Sequence, residues 1–157
     1  MKLKLISVGK TTQPEIQNLS HEYEKRLGHY CKFEQIELPA LKASKVKSEM
    51  VQKKKEGEKI VQQLKTSDLV VLLDENGKPY SSVNFSRWLQ KRMLSGKKQL
   101  IFIIGGPYGF SEEVYKRADF KISLSPMTFS HQMIRAFFTE QLYRAFTILK
   151  NEPYHHS

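Results

Sequence analysis

The chain has 157 residues, a length that suits one domain with its own hydrophobic core. Its 26 Lys and Arg residues exceed its 16 Asp and Glu residues, and the net charge of +10 favours a polyanionic partner such as RNA. The only cysteine, Cys31, excludes an internal disulfide and an all-cysteine metal site, so a reducing, cytoplasmic location is expected. The apolar run at residues 5–8 is too short for a secretion signal or a membrane span, and no membrane association is expected.

Hydrophobic patterning predicts alternating strands and helices through the first 65 residues. Alternation over residues 2–8 predicts a strand that ends at Gly9, and apolar residues three or four apart predict a helix over 14–27 that Gly28 closes. A second strand is expected over 33–38, where Pro39 stops it. A long helix is then expected over 43–65, with its lysines exposed to solvent or to RNA. One side of this helix would carry Val46, Met50, Gly57, Ile60, Val61 and Leu64.

The same alternation continues to the end of the chain. We expect a strand over 68–74, a turn over 75–79 that takes the chain away from it, and a helix from Ser81 or Ser82 to about residue 94. A buried strand over 100–104, a helix over 111–118 and a strand over 120–124 follow. Pro126 makes residues 125–129 a loop, and a last helix runs from Ser130 or His131 to Lys150. This order predicts the α/β class, with a mainly parallel sheet flanked by helices.

The last helix has an unusually wide apolar face, formed by Met133, Ile134, Phe137, Phe138, Leu142, Phe146 and Leu149. One core needs less apolar surface than this face offers. The excess predicts burial of the run Phe137, Phe138, Leu142 and Phe146 against a second copy of the chain.

Three loops are expected at one edge of the sheet, where the strands that end at Leu73, Ile104 and Leu124 have their carboxyl ends. Their sequences are ENGKPY, GGPYG and SPMTF. They predict a pocket with exposed backbone amides and apolar walls, although GGPYG could also be only a tight turn, and it is not the GxGxxG fingerprint. The clustered ligands of a metal site are missing from these loops. A triad of Ser125, His131 and Asp74 is disfavoured because the chain has no GxSxG elbow.

The blocks LLDENGKPYSS, IFIIGGPYGFSEEV and ISLSPMTFSHQMIRAFFTEQLYRAFTILKNEPYHH, in this order, resemble the signature blocks of the RlmH family. The opening KLKLISVGK, EYEKRL and KKEGEKI also fit, so the resemblance covers essentially the whole chain. RlmH proteins are small bacterial SPOUT-class methyltransferases that methylate N3 of a pseudouridine in 23S ribosomal RNA. One departure is Ser130, where relatives often have proline, and it is expected to loosen the start of the last helix.

The resemblance implies one SPOUT domain over residues 1–157, with a C-terminal trefoil knot over about 68–157 that holds S-adenosylmethionine (SAM) and needs no metal. It also implies a homodimer through the last helix and 23S rRNA within the assembled ribosome as substrate. Carried over residue by residue, the SAM contacts are Leu73, Gly105, Leu124, Ser125, Pro126, Met127, Thr128 and Phe129.

The acceptor side of the reaction has five candidates. They are Arg144, Tyr154, His155, His131 and Arg135. An arginine could stabilise the imide anion that forms at N3, and a histidine or tyrosine could take its proton. Simpler roles stay open. The sole role of His131 could be to cap the last helix, and Arg144 could form an interface ion pair. The terminal residues 151–156 are expected to become ordered when the substrate binds, because they are too few and too polar to pack against the core unaided. A non-catalytic RNA-binding module remains the alternative function.

Overall fold

The computed structural model describes residues 1–41 and 48–156, which form a three-layer α/β structure. Five strands make one sheet in the order β2-β1-β4-β3-β5, and each adjacent pair is parallel. The predicted fold class is therefore confirmed. The strands are β1 (Lys2–Val8), β2 (Lys32–Leu38), β3 (Leu69–Pro79), β4 (Gln99–Ile104) and β5 (Phe120–Ser123). The helices are α1 (Pro14–Leu27), α2 (Glu49–Val61), α3 (Ser82–Met93), α4 (Glu112–Arg117) and α5 (Met133–Leu149).

Alternating residues of the central strands build two cores, one on each face of the sheet. Leu3, Leu5 and Phe102 belong to the core beneath α1, α3 and α5. Ile6, Ile101 and Ile103 belong to the core that Ile60 of α2 and Val114 of α4 complete. The central strand β4 is buried on both faces, as its uninterrupted apolar sequence predicts.

Two predictions about helices need correction. The first helix has the predicted bounds, whereas α2 ends at Val61 and not at Lys65. Its N-cap is Ser48, whose Oγ accepts a hydrogen bond from the N–H of Val51 at 3.2 Å, and the predicted residues 43–47 lie outside the described part of the chain. Met50, predicted on the apolar side, is 78% exposed because it belongs to the first turn, beyond the sheet.

The prediction that residues 75–79 turn the chain out of the sheet is wrong. Strand β3 continues to Pro79 and pairs with β5 twice, first through Leu73 and then through Lys78, with a bulge between them. Gly77 makes this second pairing possible. A Cβ built on Gly77 would lie 2.5 Å from the carbonyl carbon and 2.6 Å from the nitrogen of Ile122, so only glycine fits against this backbone.

Replacing Gly77 with alanine should therefore destabilise the β3–β5 edge. The clash is with backbone atoms, so no side-chain rotation relieves it, and we expect the free energy of unfolding to fall by about 1–3 kcal/mol. Urea denaturation followed by circular dichroism measures this change. Asn76→Ala is the matched control, because the exposed side chain of Asn76 should change stability by less than about 0.5 kcal/mol. Equal stability of the two variants would show that the bulge adapts to a side chain at residue 77.

Candidate functional site

The carboxyl ends of β4, β3 and β5 lie side by side, as predicted, because these strands are adjacent and parallel. The bulged segment of β3 and the loops that follow β4 and β5 enclose a cavity of about 470 Å³, within the size range of small-molecule sites. Seven of the eight residues proposed for SAM line it: Leu73, Gly105, Leu124, Ser125, Met127, Thr128 and Phe129. Pro126 lies in the same loop but is not part of the cavity wall. The wall contains Asp74 and Glu75 but no Lys or Arg among the described residues.

Hydrogen bonds within the SPMTF segment fix the shape of this part of the wall. The hydroxyl of Ser125 accepts a hydrogen bond from the N–H of Met127 at 2.9 Å, and the hydroxyl of Ser123 donates one to the carbonyl of Ser125 at 3.1 Å. The Ser125 hydroxyl is therefore occupied by a hydrogen bond that holds the loop. This agrees with the argument against a Ser125–His131–Asp74 triad.

His131 lines the cavity and does not cap the last helix, whose N-cap is Gln132. The Ser130 hydroxyl accepts a hydrogen bond from the N–H of Met133 at 3.2 Å, and the Ser130 carbonyl accepts one from Ile134 at 3.0 Å. These bonds close one turn ahead of α5, and the effect of serine in place of proline at residue 130 stays a prediction. Helix α5 begins at Met133, two or three residues later than predicted.

Arg135, predicted on the acceptor side, is buried at 1% exposure and is not part of the cavity wall. Its guanidinium ties α5 to the ends of β1 and β2. The bonds run from Nη2 to the Val8 carbonyl at 2.8 Å, and from Nη1 to Thr11 Oγ1 at 2.8 Å and Glu37 Oε1 at 3.0 Å. Burial lowers the pKa of Arg135, and the charge and hydrogen bond of Glu37 oppose this shift. The structure gives Arg135 a role in holding the fold.

The other three acceptor candidates lie together, but far along α5 from the cavity. Arg144 binds Glu140 through Nε at 2.9 Å and Nη2 at 2.6 Å, and its Nη1 lies 3.4 Å from Nδ1 of His155. The Arg144 guanidinium also covers the ring of Tyr154 at 4.7 Å. Ten residues of helix, about 15 Å, separate Arg144 from Ile134 in the cavity wall. One chain alone does not bring Arg144, Tyr154 and His155 to the cavity.

The terminal segment packs on its own chain, so the expectation that it could not do so is wrong. The hydroxyl of Tyr154 donates to Glu140 Oε1 at 3.1 Å and lies 3.1 Å from the hydroxyl of Tyr23, and its ring contacts Tyr143 at 4.8 Å. Burial raises the pKa of Tyr154, and the hydrogen bond to Tyr23 and the charge of Glu140 raise it further. The shift favours the protonated hydroxyl, which donates its hydrogen bond to Glu140.

Comparisons with known proteins agree with this geometry. The family model described as "Predicted SPOUT methyltransferase" matches residues 1–155. The chain belongs to the SPOUT methyltransferase family. It is 65% identical over 156 residues to the Ribosomal RNA large subunit methyltransferase H of Christiangramia forsetii, 59% to that of Flavobacterium johnsoniae and 54% to one of Porphyromonas gingivalis. Each of these alignments covers 99% of both chains. The resemblance to RlmH proteins is thus confirmed.

Sequence reasoning missed two residues of this SPOUT methyltransferase that contact the predicted site residues or line the cavity. Glu140 holds both Arg144 and Tyr154, and its spacing of four residues from Arg144 is a signal that could have identified the first pair. Tyr115 of α4 lines the cavity and donates a hydrogen bond from its hydroxyl to Asp74 Oδ2 at 2.5 Å. No sequence signal distinguishes Tyr115 from an ordinary tyrosine on a helix surface.

Tyr115 should stay protonated when ordinary tyrosines ionise. Burial raises its pKa to about 12, and the hydrogen bond to Asp74 acts in the same direction. The contact therefore contributes to stability fully below pH 10, the ordinary pKa, and is lost as the pH rises through about 12. Titration at 295 nm up to about pH 11 should give nearly the same absorbance change for the wild type and Tyr115→Phe. A clearly smaller change in the variant would contradict the shift.

Among the described residues there is no group of three His, Cys, Asp or Glu side chains placed to hold a metal ion. Across residues 1–41 and 48–156, none of the helices has the length and apolar character needed to cross a bilayer.

Proposed function

We propose that the chain transfers a methyl group from SAM to N3 of a pseudouridine in 23S rRNA on assembled ribosomes, and that it works as a homodimer in the cytoplasm. The single observation that carries this proposal is the cavity formed by the β3 bulge and the loops after β4 and β5 in a chain of the SPOUT family. The names of the relatives support large-subunit rRNA as the substrate. The trefoil knot stays a prediction from the family resemblance.

The residues of the cavity fit SAM by size and by charge. A volume of about 470 Å³ suits a molecule of this size, and the backbone of Gly105 and Gly106 forms part of the wall. Asp74 and Glu75 place negative charge at the cavity rim, which favours a ligand that carries a sulfonium cation and an ammonium group. When bound, SAM supplies an electrophilic methyl group for direct displacement, which needs no metal.

The chain's own residues have to orient the acceptor and stabilise the charge that forms when N3 loses its proton. Arg144 can supply positive charge, and His155 lies 3.4 Å from it with a ring nitrogen that can exchange a proton. Tyr154 contributes a donor hydroxyl and an aromatic face. Because this group lies about 15 Å along α5 from the cavity, we infer that each cavity receives it from the second copy.

The proposed dimer surface differs from the one predicted by sequence. Phe138, Leu142 and Phe146 are at most 4% exposed within one chain, so the prediction that they form the interface is wrong. The exposed apolar residues of α5 and the adjacent loop are Met127, Phe129, Met133 and Phe137, which we call the rim patch. The ring centroids of Phe129 and Phe137 lie 5.1 Å apart; Phe129 lines the cavity, and both residues line a smaller pocket next to it. Burial of the rim patch against a second copy would join the two sites.

Replacing Phe137 with glutamate should therefore convert the dimer into a monomer. The side chain is 44% exposed in one chain, so the charge costs little in the monomer but would be desolvated in the interface. Light scattering at micromolar concentration measures the mass. Leu94→Glu, which changes an exposed apolar residue at the end of α3 and outside the cavity wall, is the control. A wild-type monomer at this concentration would remove the dimer from the proposal.

Isothermal titration with SAM and methyl transfer from labelled SAM test the function itself. Ribosomes that lack the modification should accept the methyl group, and mass spectrometry of rRNA fragments should place it on a pseudouridine. A chain that binds RNA without binding SAM would be a binding module, and the enzyme proposal would fail.

A further inference from the structure

Glu56 is a buried acidic residue on an otherwise basic helix. It is 2% exposed, whereas its neighbours Lys54 and Lys55 face solvent. One carboxyl oxygen, Oε1, accepts a hydrogen bond from Nε2 of Gln52 at 2.8 Å. The other oxygen, Oε2, is buried and has no hydrogen-bond partner among residues 1–41 and 48–156. A buried oxygen without a donor lowers stability, so its presence calls for an explanation.

The free oxygen faces the second glycine of the GGPYG loop. A Cβ built on Gly106 would lie 2.3 Å from Oε2 and 3.0 Å from Cδ of Glu56, so the carboxyl group is in direct contact with the loop backbone. Gly106 also lines the cavity. Glu56 is therefore directly behind the cavity wall, separated from the ligand space by one peptide unit.

A second contact of the same helix reaches the end of this loop. Ser111 follows the loop, and its Oγ is also buried without a partner in the described chain. A Cβ on Gly57 would lie 2.1 Å from this oxygen, so α2 touches the segment at both ends, through Glu56 and Gly57. Two buried polar atoms without partners in the described chain therefore lie at one contact between α2 and this segment.

We propose that Glu56 is a positioning residue for the loop over residues 105–109, and that closure of this loop on the methyl donor brings a backbone N–H to Glu56 Oε2. Tyr108 supplies the available N–H, because Pro107 has none and the N–H groups of Gly106 and Gly109 face each other's carbonyls in the turn over residues 106–109. Glu56 acts on the methyl donor only through the loop. This inference rests on the proposed SAM-dependent function.

The arrangement couples ligand binding to an internal hydrogen bond. In the open loop the oxygen lacks a donor, and in the closed loop it gains one, so the closed form is favoured by an interaction that the open form does not have. Removing the acceptor should therefore weaken SAM binding without weakening the ligand-free fold. A purely structural residue would behave differently, because its removal would lower stability and affinity together.

The test uses Glu56→Met, which removes the acceptor at similar volume, and Glu56→Gln, which keeps one acceptor oxygen. Glu58→Gln, on the exposed side of α2, is the matched control. We expect Glu56→Met to bind SAM at least about tenfold more weakly in calorimetry, with a melting temperature no lower than that of the wild type. Glu56→Gln should have an intermediate affinity, and Glu58→Gln should match the wild type.

Hydrogen exchange of the loop amides supplies a second measurement. SAM should slow exchange over residues 105–109 in the wild type, and this protection should be reduced in Glu56→Gln and largely lost in Glu56→Met. Wild-type affinity in Glu56→Met and Glu56→Gln, or a loss of affinity that follows a loss of melting temperature, would overturn the inference. Failure of the wild type to bind SAM would instead overturn the proposed function, so the two failures are distinguishable.

Discussion

Replacing Arg135 with methionine should lower the free energy of unfolding by about 3 kcal/mol. Methionine fills the space of the aliphatic stem, but the Val8 carbonyl loses a hydrogen bond at 2.8 Å and the Glu37 carboxylate loses one at 3.0 Å. Val8 is buried, so its carbonyl has little access to water to replace that bond. Glu37 is one-third exposed and regains part of its hydration in the variant. The expected loss of stability therefore lies near the lower end of the range for breaking a buried ion pair. Urea denaturation measures the difference.

The same variant separates a structural role of Arg135 from a catalytic one. The folded fraction of Arg135→Met should retain methyl transfer to within a few fold, because this guanidinium is not part of the cavity wall. Arg87→Met is the control, since Arg87 is exposed on α3 and should change stability by less than about 0.5 kcal/mol. Normal stability of Arg135→Met together with a large loss of turnover would return Arg135 to the chemistry.

The sheet and the cavity could be predicted from sequence because local signals were sufficient. The apolar run of β4 and the glycines after it define a buried parallel strand followed by an open loop. Once β3, β4 and β5 are taken as neighbours, the convergence of the segments after Leu73, Ile104 and Ser123 follows from the geometry of parallel sheets.

Predictions that depended on long-range contacts were less successful. The residues 75–79 contain a strong turn sequence, but pairing of Lys78 with Ile122 on β5 keeps them in the sheet. Tertiary pairing overrode local preference here. A turn sequence alone does not show whether a second strand lies close enough to pair with it.

The wide apolar face of α5 was assigned to a dimer interface because the sequence does not show which other elements of the same chain cover this face. This helix packs on the sheet and also against α1 and α3, and these contacts within one chain bury Phe138, Leu142 and Phe146. An apolar face of that width is ambiguous between these alternatives. Only the exposed remainder, such as Phe137, is available for a second copy.

Deleting residues 153–157 should reduce methylation of ribosomes by about 100-fold, because a positioning or proton-transfer group is lost with Tyr154 and His155. The structure adds a stability cost of about 1 kcal/mol, since the Tyr154 hydroxyl loses its bonds to Glu140 and Tyr23. SAM affinity should stay within about twofold of the wild type, because the segment lies about 15 Å along α5 from the cavity of its own chain. Single-turnover methylation and SAM calorimetry on the same preparation measure both quantities.

Tyr154→Phe is the matched control for the packing of the tail, because it keeps the ring beneath Arg144 and removes only the hydroxyl. Its stability should lie between those of the wild type and the truncated chain. If truncation leaves the rate unchanged, the terminal segment serves only the fold, and the acceptor chemistry must rest on His131 or Arg144.

Mixing two defective chains tests whether the tail serves the cavity of the second copy. One chain lacks residues 153–157, and the other carries Gly105→Val, whose side chain would crowd the cavity loop and press on Phe110, 3.1 Å from a Cβ at residue 105. A mixed dimer has one intact cavity in the truncated chain and one intact tail in the other chain. If the tail acts across the interface, these meet in one complete site, and re-equilibrated mixtures should recover about a quarter of wild-type activity, since half of the dimers are mixed and each has one of two sites. If the tail acts within its own chain, every site in the mixture lacks one component, and activity stays at the level of the separate variants.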